Sequence, residues 1–85
     1  MNATAPKKTY YVVQGFTRLR DRVSMDAPIE ARSEASAIRI AERIATRKAS
    51  VLVLARTGDP SVSEFDDPVL VRSYGSIDEK DELPF

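Results

Sequence analysis

Residues 33–48, SEASAIRIAERIATRK, form the longest periodic stretch of the chain. Their apolar side chains recur every three to four positions and share one side of a helical wheel, whereas the charged side chains occupy the other side. Ser33 is a favourable N-cap, because its hydroxyl can accept a hydrogen bond from a free amide of the first turn. The pattern predicts an amphipathic helix whose apolar face carries Ala37, Ile38, Ile40, Ala41, Ile44 and Ala45.

Four shorter segments predict strands. Residues 9–16, TYYVVQGF, are rich in aromatic and β-branched residues, which fit a pleated surface. Residues 28–31 begin with proline, which confines a strand to an edge or to its first position. Residues 51–55, VLVLA, form a continuous apolar run that predicts a strand buried on both faces. Residues 69–74, VLVRSY, predict the last strand.

The segment between the first two predicted strands has two interpretations. Arginines alternate with other residues at positions 18, 20 and 22, so the segment either continues the first strand with one basic face or reverses the chain. Both interpretations leave the main element order as strand, short strand, helix, strand, strand.

This order predicts an α+β fold, a two-layer sandwich of ββαββ order with one amphipathic helix packed on an antiparallel sheet. Numbering the four predicted strands along the chain, we expect the order 2-1-3-4 in the sheet. This order keeps both hairpins and places the two strands richest in apolar residues at the centre. Residues 9–76 are predicted to form a single domain. Residues 1–8 are predicted to be a disordered N-terminus, and residues 77–85 an acidic, flexible tail.

Three runs within residues 10–76 resemble a group of small, functionally uncharacterised bacterial proteins. The runs are YVVQGF, PIEARSEASAIRIAERIA and RTGDPSVSEFDDPVLVRSYG. That group shares a YVVQ strand, an EA-rich helix and a GDP…DDPV hairpin. No activity is known for it, so the resemblance implies none and leaves the residue-level interpretation unchanged.

Composition narrows the chemistry. The 85 residues include no Cys and no His, which removes disulfides, thiolate ligands, cysteine nucleophiles and the usual general base near neutral pH. No nucleophile stands in a recognisable catalytic motif, and the glycines are isolated. We therefore predict a non-enzymatic protein without cofactor.

The N-terminal stretch lacks an apolar core, and no apolar run nears the roughly 20 residues that span a bilayer. We predict a cytoplasmic protein with no membrane contact.

An acidic stretch, Asp59-x-Ser61-x-Ser63, resembles the start of a calcium-binding loop. The sixth position is Glu64 and the twelfth is Leu70, where such a loop needs Gly and Glu. We therefore interpret the stretch as a solvated hairpin loop and predict no metal site.

Charge is uneven along the chain although the net charge is zero. Residues 1–50 carry a charge of +5 and residues 51–85 a charge of −5. Either the folded surface mixes these charges, or a dipolar surface steers a partner. Six arginines at strand or helix spacing could contact phosphate groups. A nucleic-acid-binding accessory protein is therefore the alternative function, with candidate contacts at Arg18, Arg20, Arg22, Arg39, Arg43 and Arg47.

Both faces of the predicted sheet carry apolar residues, yet one helix covers only one face. An uncovered apolar face marks an interaction surface, unless the loop 57–68 or the C-terminal tail covers it. The leading prediction is a small binding module with a protein partner, most simply a second copy in a homodimer. The candidate self-association residues share a parity along their strands: Tyr10, Val12, Phe16, Leu70 and Tyr74.

Overall fold

The computed structural model describes residues 7–75 and shows a protein made mainly of sheet, since 54% of these residues are in strands. A short 3-10 turn, Pro60–Val62, follows the fourth strand. The elements in chain order are β1 Lys8–Arg18, β2 Val23–Met25, β3 Ile29–Ala31, α1 Glu34–Ala45, β4 Ser50–Asp59, β5 Glu64–Phe65 and β6 Val69–Gly75.

The paired strands are antiparallel and form one curled sheet around β1 and β4. These two central strands pair over nine consecutive positions. The other edge of β1 pairs with β3 and, farther along, with β2. The other edge of β4 pairs with β6 along its first part and with β5 at its end. Each central strand thus changes its outer partner along its length, and β6 adds a bulge, which bends a strand and increases its twist.

The predicted ββαββ two-layer sandwich is wrong, because the chain forms six strands in a curled sheet. The segment with two interpretations reverses at Arg20 and Asp21, where the Leu19 amide donates to the Arg22 carbonyl, and then forms β2. The loop after β4 adds β5. Of the two interpretations, the chain reversal is therefore correct; alternating arginines also fit a strand, so the pattern alone did not decide between them. The expected neighbours are nevertheless present, with β3 beside β1, β1 beside β4, and β4 beside β6.

Helix α1 begins where the sequence predicts. The Ser33 hydroxyl oxygen accepts a hydrogen bond from the Ser36 amide at 3.1 Å, which confirms the N-cap. The helix packs on one sheet face through the fully buried Ala37 and Ala41. Their short side chains allow α1 to lie close to the sheet. The core beneath them consists of Val13, Val51 and Val53, with Ile40 and Ile44 half-buried beside it.

Two predicted segments fall mainly or wholly outside the described residues. Of the predicted N-terminal segment, only residues 7 and 8 are described, and Lys8 begins β1. The predicted tail at residues 77–85 lies outside the described residues. Within residues 7–75, no helix is both long enough and apolar enough to cross a membrane.

Candidate functional site

The sheet face opposite α1, which we call the open face, carries ordered rows of side chains. The strand register sets Val12 between Glu30 and Leu54, and Leu54 beside Leu70. One row of side chains therefore crosses β3, β1, β4 and β6. Its residue on β3 is acidic, and its residues on the other three strands are apolar. The next row places Tyr10 beside Arg56.

A groove of about 400 Å³ lies on the open face. Its apolar lining comes from Val12, Leu54, Pro28 and Pro68, and its polar lining from Gln14, Glu30 and Arg56. The Gln14 amide nitrogen donates to the main-chain carbonyl oxygens of residues 15 and 26, at 3.0 and 2.7 Å. This side chain is therefore held by the fold. A mainly apolar groove with a few fixed polar groups is typical of binding surfaces.

Phe65 covers one end of the open face. Its ring meets Tyr10 edge to face at a centroid distance of 6.2 Å, and the guanidinium carbon of Arg56 lies 4.5 Å from its centroid. Both geometries are favourable for aromatic rings. Gly58 permits this approach, since a Cβ there would lie 2.6 Å from the Phe65 Cα. The loop 57–68 thus covers the open face at this end, although Val62 in the same loop remains 57% exposed.

Strand β6 carries the most exposed aliphatic side chains of the sheet. Val69 is 62% exposed and Leu70 is 55% exposed. Among the described residues, β6 pairs with β4 and with no other strand. One long edge of β6 is therefore open in this part of the chain.

The hydrogen-bond pattern shows which backbone groups face that edge. The Thr57 carbonyl of β4 accepts from the Asp66 amide, so the odd-numbered residues of β4 direct their backbone groups away from β1. Val53 consequently bonds to its partner Arg72, because directly opposed antiparallel residues alternate between bonded and non-bonded pairs. The next residue, Ser73, directs its amide and carbonyl outward, to the open edge.

A second candidate surface lies where β1 turns into β2 and α1 ends. The Ala49 amide donates to the Phe16 carbonyl at 2.9 Å, and the Lys48 ammonium donates to the Thr17 hydroxyl at 3.2 Å. These contacts place the last turn of α1 beside the β1–β2 turn. We call this region the basic end; it carries Arg18, Arg20, Arg22, Arg43, Arg47 and Lys48 together with Asp21, Asp26 and Glu42.

Asp26 joins the parts of the basic end. Its Oδ1 accepts from the Thr17 hydroxyl at 2.7 Å, and the Lys48 ammonium lies 2.9 Å from its Oδ2. Burial raises the pKa of the Asp26 carboxyl. The hydrogen bonds from Thr17 and Lys48, with the charge of Lys48, outweigh burial and hold that pKa below its ordinary value. Gly15 leaves room for the carboxylate, since a Cβ there would lie 2.8 Å from Oδ2.

The five predicted self-association residues do not form one exposed surface. Tyr10, Val12 and Leu70 lie on the open face. Phe16 has the same parity but is 1% exposed. Tyr74 pairs with a residue of the helix-covered face and packs against the core, and its hydroxyl lies 3.5 Å from a carboxylate oxygen of Glu42 on α1.

The bulge in β6 separates Leu70 from Tyr74. Four residues apart in a regular strand they would share a face, but the register shift places them on opposite faces. Leu54, Arg56 and Phe65, which also lie on the open face, were not among the predicted interaction residues. The parity of β4 could have indicated Leu54 and Arg56, whereas the position of Phe65 depends on how the loop folds back.

Five of the six arginines predicted to contact an anionic partner lie at the basic end, and one does not. Arg18, Arg20 and Arg22 lie at the β1–β2 connection and Arg43 and Arg47 at the end of α1, so all five belong to the basic end. Arg39 is exposed on α1, one turn farther from that end.

The calcium-like stretch has a structural role. Asp59 is 8% exposed, and its Oδ1 accepts from both the amide and the hydroxyl of Ser61, at 3.0 and 2.6 Å. It thereby caps the 3-10 turn that begins at Pro60. Across residues 7–75, no three His, Cys, Asp or Glu side chains group closely enough to hold a metal ion.

No protein-family model, curated protein or solved structure matches this chain. The geometry of the open face, β6 and the basic end is therefore the basis for inferring a function. The resemblance to the YVVQ-strand group remains a prediction.

Proposed function

We propose that this protein is a small, cytoplasmic, non-enzymatic interaction module that self-associates through β6 and the adjoining part of the open face. Strand β6 is the observation that supports the proposal, since Val69 and Leu70 are each more than half exposed on it. Edge strands are usually protected by charges, by bulges that twist the edge away, or by a covering element. The bulge and Arg72 protect only part of β6, and its aliphatic end favours pairing with another strand.

A second copy is the simplest partner for this edge. Antiparallel pairing of β6 with the same strand of another protomer across a two-fold axis would join two sheets into one. The outward amide and carbonyl of Ser73 supply hydrogen bonds for that pairing. Leu70 continues the row formed by Val12 and Leu54, so the same contact would extend over the apolar part of the open face.

Replacing Leu70 by Lys tests the side-chain part of this contact. We expect the parent chain to sediment as a dimer at tens of micromolar, and Leu70→Lys to weaken the dimer at least about tenfold, or ~1.4 kcal/mol. The circular dichroism spectrum should stay unchanged because Leu70 is largely exposed. Val62→Lys is the matched control, since Val62 is 57% exposed but lies outside β6. A monomeric parent chain would contradict the proposal.

Proline substitution tests the backbone part of the contact. Ser73→Pro removes an amide that faces the open edge, so it should weaken the dimer while leaving the monomer folded. Arg72→Pro removes an amide that bonds to Val53, so it should destabilise the monomer itself. Sedimentation and thermal unfolding distinguish these effects. If Ser73→Pro leaves the dimer intact, β6 pairing is not the mode of association.

The basic end supports a second candidate function, binding of an anionic partner such as a nucleic acid. The contact between the C-terminus of α1 and the β1–β2 turn favours it, because two arginine groups distant in sequence come to one end of the sheet. Affinity for an oligonucleotide should then fall steeply with salt, as phosphate contacts release counterions. Arg47→Ala should reduce the slope by about one unit, whereas Arg32→Ala, outside the basic end, should not. Salt-independent binding, or none at low salt, would exclude this function.

A further inference from the structure

The described residues and the C-terminal segment carry opposite charge. Residues 7–75 contain twelve Lys or Arg and nine Asp or Glu, a net charge of +3, whereas residues 76–85 contain one Lys and four acidic residues, a net charge of −3. The basic end accounts for the excess in the described part, since its six basic residues exceed its three acidic residues by three. Residues 76–85 of the same chain carry an equal and opposite net charge.

Strand β6 brings the chain to the basic end. Gly75, the last described residue, pairs with Ser50, immediately after the connection from α1 to β4. Its φ of +75° lies in the left-handed region, and a Cβ there would lie 2.5 Å from the Ala49 carbonyl oxygen. A side chain does not fit at this approach. The main chain thus leaves β6 in contact with the residue that follows Arg47 and Lys48.

We propose that the basic end is the docking surface for residues 76–85 of the same chain, SIDEKDELPF. Three strand spacings from β6 to β2 amount to about 14 Å. Ten extended residues span up to about 33 Å, so the segment reaches every arginine of the basic end. Its four carboxylates complement the arginines of the β1–β2 turn and of the last turn of α1.

Covalent attachment favours this occupant over a separate molecule. A segment tethered beside its docking surface has an effective concentration in the millimolar range. Pairs of exposed charges, which are weak individually, can therefore form in the same chain at concentrations where a second copy would not bind. The docked segment would also compete with any external anion for the basic end. It would therefore weaken binding of a nucleic acid, the second candidate function.

A single spin label tests the contact in the full-length chain. The protein has no cysteine, so Leu83→Cys carries one nitroxide and keeps all four carboxylates of the segment. At low salt we expect strong broadening of the amide signals of residues 18–22 and 43–48. The amides of residues 62–66, at the opposite end of the sheet, should not change. Salt should reduce the broadening, because exposed charges are screened.

Two controls identify the occupant. The full-length chain with Asp78→Asn, Glu79→Gln, Asp81→Asn and Glu82→Gln should lose the broadening. The second control is run with Leu70→Lys in every chain, because this substitution weakens the proposed β6 dimer. A mixture of isotope-labelled chains without a nitroxide and unlabelled chains with one should then show no broadening, and broadening in that mixture would identify a second copy as the occupant. Broadening that is absent, located on the open face, or unaffected by neutralisation would also overturn the proposal. So would shifts of the basic-end amides that arise only when an oligonucleotide is added.

Discussion

The two faces of the sheet are built from similar residues but end in different environments. Val53 and Leu54 are neighbours in β4, yet Val53 is fully buried against the α1 side, whereas Leu54 is half-buried and lines the groove on the open face. Both belong to the apolar run that predicts burial on both faces. For these two neighbours, burial therefore depends on which face α1 covers, and the hydrophobicity of the strand alone does not determine it.

The largest effect should come from truncating the helix-covered face. Val53→Ala removes fully buried methyl groups and leaves a cavity beneath α1, so we expect a loss of roughly 2–3 kcal/mol in the free energy of unfolding. Leu54→Ala, one residue away on the open face, should cost less than about 1 kcal/mol, because its site opens to solvent. Urea unfolding measures both. Equal losses would mean that the open face is covered as fully as the other.

An intermediate effect should come from separating β5 from β4. A Cβ on Gly58 would lie 2.6 Å from the Phe65 Cα, so Gly58→Ala must displace β5, at a cost of roughly 1–2 kcal/mol. Phe65 would then leave Tyr10 and Arg56 and expose more of the open face. Chemical shifts of the Tyr10 ring report this change. An unchanged Tyr10 environment would show that Phe65 keeps its place without close strand pairing.

The smallest effect concerns Asp26, whose interactions hold the basic end rather than either face. Asp26→Asn removes the ion pair with Lys48 and should cost about 1 kcal/mol at neutral pH. The pKa of the folded-state carboxyl lies below its ordinary value, so the unfolded state binds the proton more readily. The stability that Asp26 supplies is therefore present above about pH 4 and is lost as the pH falls through the folded-state pKa. Unfolding free energies of the parent protein and of Asp26→Asn, measured across this pH range, should become equal in acid. A difference that does not change with pH would contradict an ionic origin of the stability that Asp26 supplies.

Local patterns were sufficient to predict several individual elements, but they did not predict the six-stranded curled sheet. The period of residues 33–48 and the hydroxyl of Ser33 identify α1 because helix formation and capping depend on neighbouring residues. The apolar runs identify β1, β4 and β6, and short connections favour the pairing of strands adjacent in the sequence. The alternation within β1 likewise determines that Tyr10 and Val12 share one face, since side chains alternate along a strand.

Tertiary structure alone decided the features on which the candidate sites depend. The bulge in β6 assigns Leu70 and Tyr74 to opposite faces, because a single extra residue shifts the alternation that a sequence pattern assumes to be regular. The turn before β2 and the contact between Phe16 and Ala49 bring the two arginine groups to one end of the sheet. Phe65 reaches Tyr10 only because β5 folds back against Gly58. These outcomes require contacts between residues far apart in the chain, whose energies a local pattern of hydrophobic and polar positions does not contain.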